Sequence, residues 1–115
     1  MDFASQYRML IIGVTDLARS YEKQLKIYPD FVPVADELAL SFDDGYLLVP
    51  QLKEAGLLSG NAVDLLSQIN RLLEEMTNGP SDVWSEKGFK ENPVWEECRT
   101  LARKVLTELN EELPG

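Results

Sequence analysis

NAVDLLSQINRLLEEM, residues 61–76, carries the clearest period in the chain: Ala62, Leu65, Leu66, Ile69, Leu72, Leu73 and Met76 recur at steps of three and four. That spacing lines one face of an α-helix, with Asn61 as its expected cap and Asp64, Gln68, Arg71 and Glu75 on the other side. Three successive breakers, Asn78, Gly79 and Pro80, end it. A helix with one apolar face needs other apolar faces to cover it, so the flanking segments decide the architecture.

On the C-terminal side a short turn of helix is expected around Val83 to Lys87. Asn92 then caps a last helix with Pro93 in its first position and Glu96 and Glu97 near the positive end of its dipole. Trp95, Cys98, Ala102, Val105 and Leu109 form its buried stripe, the helix is expected to run to about residue 112, and Leu113, Pro114 and Gly115 are expected to fray.

On the N-terminal side Phe3, Tyr7, Leu10, Val14, Leu17, Tyr21 and Leu25 predict one long helix over residues 3–27, widened by Ile11, Ile12 and Ala18. Gly13 weakens it by about 1 kcal/mol relative to Ala and permits a close neighbour. Pro29 stops it, and residues 28–33 read as an extended connector.

VADELALSFDDGYLLVPQLKEAG, residues 34–56, reads two ways. Leu38, Phe42, Val49 and Leu52 keep a helical period, while Leu38, Leu40 and Phe42 also alternate as in an edge strand. The helical reading is favoured: Asp36 and Glu37 suit a first turn, Gly56 suits an end, and Gly45 with Pro50 implies two short helices or one kinked helix. The expected fold is therefore all-α, an irregular bundle of four to five amphipathic helices, with residues 1–115 as a single helical domain.

Composition narrows the chemistry. The 115 residues contain no histidine and one cysteine, Cys98, so histidine-based triads, an intrachain disulfide and a multi-cysteine metal site are all excluded. No apolar run approaches the roughly 18–20 residues of a membrane span. The first residues carry an acid where a secretory leader would be basic, so a cytoplasmic location is expected. Twenty acids against eleven bases give a net charge of −9, which repels a nucleic-acid backbone. Residues 31–60 hold five of the acids and one base, and Asp36, Glu37, Asp43 and Asp44 form the centre of that acidic zone. Such a cluster is either a solvated face or a surface that steers a basic protein.

No motif adds catalysis. Asp43, Asp44 and Gly45 mimic part of a calcium loop, but Ser41 and Phe42 break the alternation of oxygen ligands that such a loop needs. GVTDLARS lacks the lysine of a phosphate-binding loop. Cys98 falls on an apolar stripe with no base to activate it, and a small core residue is its expected role. An enzyme using carboxylates and a divalent ion is the remaining catalytic reading; the expectation is no enzyme, no cofactor and no metal. Trp84 is either a partner anchor or the closure of the bundle edge, and Tyr46 either grips a basic partner beside Asp43 and Asp44 or packs inward.

Three stretches together carry a resemblance: SYEKQLKIYPDFVPVADELALSFDD at 20–44, GYLLVPQLKEAGLLS at 45–59, and Trp84 followed by NPVWEECRTLARKVLTEL at 92–109. They resemble small, acidic, all-helical bacterial immunity-type proteins, over most of the chain. The resemblance implies a non-catalytic inhibitor that neutralises a toxin, such as a cognate nuclease domain, by binding it. It also implies that Asp36, Glu37, Asp43, Asp44 and Tyr46 contact that basic partner. The alternative is a homodimer or larger homo-oligomer with a structural or adaptor role, using Met9, Ile12 and Ile27 beside the main stripe of the first helix.

Overall fold

A computed structural model describes residues 2–113. Among them the chain forms helices α1 (Phe3–Ala18), α2 (Tyr21–Gln24), α3 (Val34–Tyr46), α4 (Val49–Glu54), α5 (Gly60–Asn78), α6 (Glu86–Glu91) and α7 (Pro93–Glu108), with a 3-10 turn at Ser81–Trp84 and no strand. The all-α reading holds. Four helices of 13 to 19 residues, α1, α3, α5 and α7, make the bundle, and the shorter ones close its corners.

At the end of α1 and the start of α5, where the boundaries depart from the sequence pattern, tertiary groups are responsible. The first helix stops at Ala18 instead of continuing to residue 27. Arg19 and Ser20 are extended, and the Ser20 hydroxyl accepts from the Lys23 N–H to cap α2. The carbonyls freed at the end of α1 are taken by distant side chains. Gln24 Nε2 donates to Asp16 O and Leu17 O, and Arg103 Nε donates to Ala18 O. The apolar period ran on because Tyr21 returns to the same core from a new helix, whereas Leu25 and Phe3 at its two ends are exposed.

The cap of α5 is Ser59 and not Asn61. Ser59 Oγ accepts from the Ala62 N–H and donates to Glu108 Oε1 of α7, a second partner that Asn61 lacks. The other end of α5 falls at Asn78, where the breakers place it. Asn92 caps α7 through Val94 N–H as expected, but α7 ends at Glu108, four residues early, because Asn110 adopts a left-handed φ of 58°. Leu113 lies beyond that end, and the fraying expected at Pro114 and Gly115 concerns positions outside the described residues. The turn expected near Val83 resolves into the 3-10 turn plus α6.

Residues 34–56 are two helices, and the strand alternative fails because Leu40 points to solvent while Leu38 and Phe42 are buried. The break falls at Leu47 and Leu48; Pro50 sits in the first turn of α4, and Gly56 turns the chain with φ +79°. Gly45 is inside α3 for a different reason. A Cβ there would lie 2.8 Å from Leu10 Cα, and one on Gly13 would lie 2.8 Å from Ser41 O, so the two glycines let α1 and α3 cross in backbone contact.

The core gathers Leu10, Val14, Leu17, Leu38, Phe42, Leu66, Ile69 and Trp95 with the inner face of α7. Trp95 is fully buried and its indole N–H donates to Val83 O at 2.9 Å, which fastens the 3-10 turn to α7. In cross-section α1 packs on α3 and α7, and α7 packs on α5. The fourth side of this ring, α3 against α5, is only sparsely in contact. It is there that the bundle leaves a groove.

Candidate functional site: an acidic groove between two helices

The α3–α5 groove has a volume of about 740 Å³. Ala39 and Leu73 lie at its base, Asp36, Leu40 and Asp43 come from α3, and Asn70, Glu74 and Thr77 come from α5. Helix geometry explains the set. Asp36, Leu40 and Asp43 are spaced four and three apart, and Asn70, Glu74 and Thr77 repeat that spacing, so each trio forms one ridge. Asn70 Nδ2 donates to Glu74 Oε1 at 3.2 Å and orients that carboxylate. No lysine or arginine lines the groove.

Tyr46 does not line the groove: its hydroxyl meets Ser67 Oγ at 3.2 Å while its ring stacks on Phe42. Tyr46 is thus half-buried in the α3–α5 seam, the inward alternative of the two considered from the sequence. Trp84 does line the groove, its indole N–H donating to Met76 O and its ring meeting Trp95 edge-on at 5.4 Å. Trp84 therefore closes the bundle edge and still presents surface to the groove.

The sequence cluster does not stay together. Asp36 and Asp43 share the groove, whereas Asp44, turned about 100° from Asp43 around α3, lies in a separate depression with Arg8, Met9 and Ile12 of α1. Glu37 is half-buried and close enough to Tyr28 to help raise that phenol, after burial and Asp16. Glu74, Asn70 and Leu40 join the site without having been singled out. The signal for Glu74 and Asn70 was present, since they edge the apolar stripe of α5, but nothing local says that α3 leaves that edge uncovered.

A second polar cluster escaped the sequence reading altogether, and it is structural. Arg99 is 3% exposed and Gln24 is 0% exposed. Arg99 Nε donates to Gln24 Oε1 at 2.9 Å, Nη2 donates to Phe89 O at 3.2 Å and Nη1 reaches Glu96. Its guanidinium carbon stands 5.0 Å from the Phe89 ring centre and 5.9 Å from that of Tyr21. Burial pulls the Arg99 pKa below its ordinary value, opposed by Glu96. Among the described residues every buried side-chain nitrogen and oxygen has a hydrogen-bond partner. This cluster is complete and offers no free group for chemistry.

No family model, curated protein or solved structure matches the chain. Among the described residues no group of three or more Cys, Asp or Glu side chains is placed to hold a metal ion. No helix among them is long and apolar enough to cross a membrane.

Cys98 is fully buried, and that burial, reinforced by Glu97, pushes its thiol up to about 12. At pH 8 only about one thiol in ten thousand is then ionised, so the native protein should resist thiol reagents. Labelling at pH 8 is expected to wait on unfolding, at least 100-fold slower than in urea. Equal rates in the two conditions would contradict this placement. Because the folded value lies above the ordinary 9.0, the folded state holds this proton longer, and stability should fall as pH rises from 9 toward 12.

Proposed function

We propose that this is a non-catalytic, cytoplasmic binding protein that neutralises a toxin by seating a basic surface of it on the α3–α5 groove. The observation that carries the reading is the groove's lining: Asp36, Asp43 and Glu74 stand on its two ridges with the exposed Leu40, above Ala39 and Leu73 and beside Trp84, with no cation among them. Carboxylates around an apolar floor give a basic partner both fast, steered approach and area to bury. The resemblance of the sequence to immunity-type proteins supplies the class of partner. A net charge of −9 agrees with it, because an inhibitor of a nuclease competes with a polyanion for a cationic cleft.

The test is capture of a single stoichiometric basic partner, followed by charge reversal. Asp36→Lys with Asp43→Lys is expected to weaken that complex at least tenfold and to reduce its salt dependence. Asp44→Lys, outside the groove, is expected to change it less than twofold. An Asp44 effect as large as that of the groove pair, or recovery of the chain with no partner, overturns the reading.

One observation favours a second reading, self-association through α1. Phe3, Met9 and Ile12 are 51%, 39% and 52% exposed, and Met9 and Ile12 line the depression beside Asp44. Ile27, by contrast, packs against the core. This reading requires a dimer that resists salt and is abolished by Ile12→Glu.

A further inference from the structure

Trp84 also lines a second cavity, of about 490 Å³, on its other flank. Three further aromatic rings border that cavity: Tyr21 of α2, Phe31 of the connector and Phe89 of α6. Asp30 and Glu86 are its two acids, and it has no lysine or arginine in its lining. We infer that this cavity receives an arginine side chain of the basic partner, as the anchor of a surface that continues past Trp84 into the α3–α5 groove. The inference rests on the acidic-surface reading above and adds the chemistry of the contact.

Three observations carry it. Aromatic faces attract cations, and a guanidinium is the cation that can lie flat on a ring while its edge donates to carboxylates. Arg99 stacks on Phe89 and Tyr21 from within, and with Phe89 only 3% exposed the ring surface open to the cavity comes from Tyr21, Phe31 and Trp84. Arg99 shares the exposed Glu96 with Arg103, but even with Arg99 counted as a full positive charge the two acids Asp30 and Glu86 leave the cavity negative. Finally, Phe31 is 88% exposed at the cavity, the most open of the large apolar side chains described. Its position is enforced, not slack. Pro29 and Pro33 bracket it, and Val32 N–H closes a turn onto Pro29 O at 3.0 Å. The turn fixes the backbone that carries the ring, so only the side-chain rotamer is left to be ordered on contact.

The probe is N-acetyl-arginine methylamide, titrated into the isotopically labelled protein and followed by the indole N–H signals, with Trp84→Phe assigning them. Its citrulline and lysine counterparts serve as comparisons. The arginine probe is expected to move the Trp84 signal saturably in the millimolar range and to leave the Trp95 signal, fastened to Val83 O, in place. Citrulline, equal in shape but uncharged, should bind at least fivefold more weakly, and lysine severalfold more weakly. Phe31→Ala, and Asp30→Asn with Glu86→Gln, should each weaken the arginine probe at least fivefold with unchanged denaturation midpoints. Equal binding of citrulline, equal binding of lysine, or no movement of Trp84 overturns the proposal. The two readings fail separately. A cavity that titrates without any partner being captured overturns the toxin reading alone, and a partner captured through Asp36 and Asp43 with an inert cavity overturns the anchor alone.

Discussion

Arg99→Ala is expected to remove about 3–5 kcal/mol of folding free energy, a large part of the roughly 5–15 kcal/mol available to a domain of this size. Two losses add. Gln24 Oε1 and Phe89 O would each lose a buried donor, and the rings of Phe89 and Tyr21 would face the space left by the guanidinium and its stem. The ion pair with Glu96 contributes little to this figure, because Glu96 is 60% exposed and screened by water. Arg99→Lys is the informative companion. It keeps the charge but cannot donate in two directions while lying flat on the rings, so about half of the loss should remain. Gln24→Leu should be costly as well, since Gln24 both accepts from Arg99 and donates to Asp16 O and Leu17 O at the end of α1. The double variant should lose less than the sum, the signature of a shared network. Urea denaturation of the four variants and the unsubstituted protein measures all of this, and an Arg99→Ala loss below about 1 kcal/mol would mean that water substitutes for the guanidinium.

The second large effect is expected at the α1–α3 crossing. Gly45→Ala should lower stability by about 2–3 kcal/mol even though alanine is the better helix former by about 1 kcal/mol. The new methyl would meet the backbone of Leu10, which cannot swing aside as a side chain would, so α3 must move as a body. Gly13→Ala opposes Ser41 O and Phe42 Cα in the same way. Once either substitution has parted the helices the other meets less resistance, and the pair should cost less than the sum. Gly60→Ala provides the control: nothing lies near its Cβ at the start of α5, and it should be neutral or slightly stabilising. Denaturation midpoints decide between these outcomes. A stabilised Gly45→Ala would show that the crossing has slack.

The candidate site was only partly legible, for a reason visible in α3. Asp36, Glu37, Asp43 and Asp44 are neighbours along the chain, yet neighbours at one residue's spacing point about 100° apart around a helix. The fold used that angle to send Asp36 and Asp43 into the groove and Asp44 to the α1 side. Composition registers an acidic zone and is blind to this division. Glu74 entered the site from α5 because two helices distant in sequence lie side by side there without closing. Arg99 lies on the inner face of α7, between Trp95 and Ala102, and as a charged residue it was not read from the sequence as part of the buried stripe. What made that burial tolerable, an amide from α2 and a carbonyl from α6, is supplied only by the folded chain.

Local chemistry fixed what needed no distant partner. The period of residues 62–76, the breakers after it, and the Asn92 and Pro93 start of α7 all reappear because side-chain spacing, a cap oxygen and a missing N–H act within one turn of chain. The all-α class follows from them. The tertiary structure decided where α1 ends, which serine caps α5, how closely α1 and α3 approach, and which carboxylates share a surface. Each of these depends on an atom more than a few residues away: the amide of Gln24, the carboxylate of Glu108, the backbone of Leu10, the open side of α5. A linear pattern records which faces are apolar and leaves unsaid which of them meet, and the site lies where two of them do not.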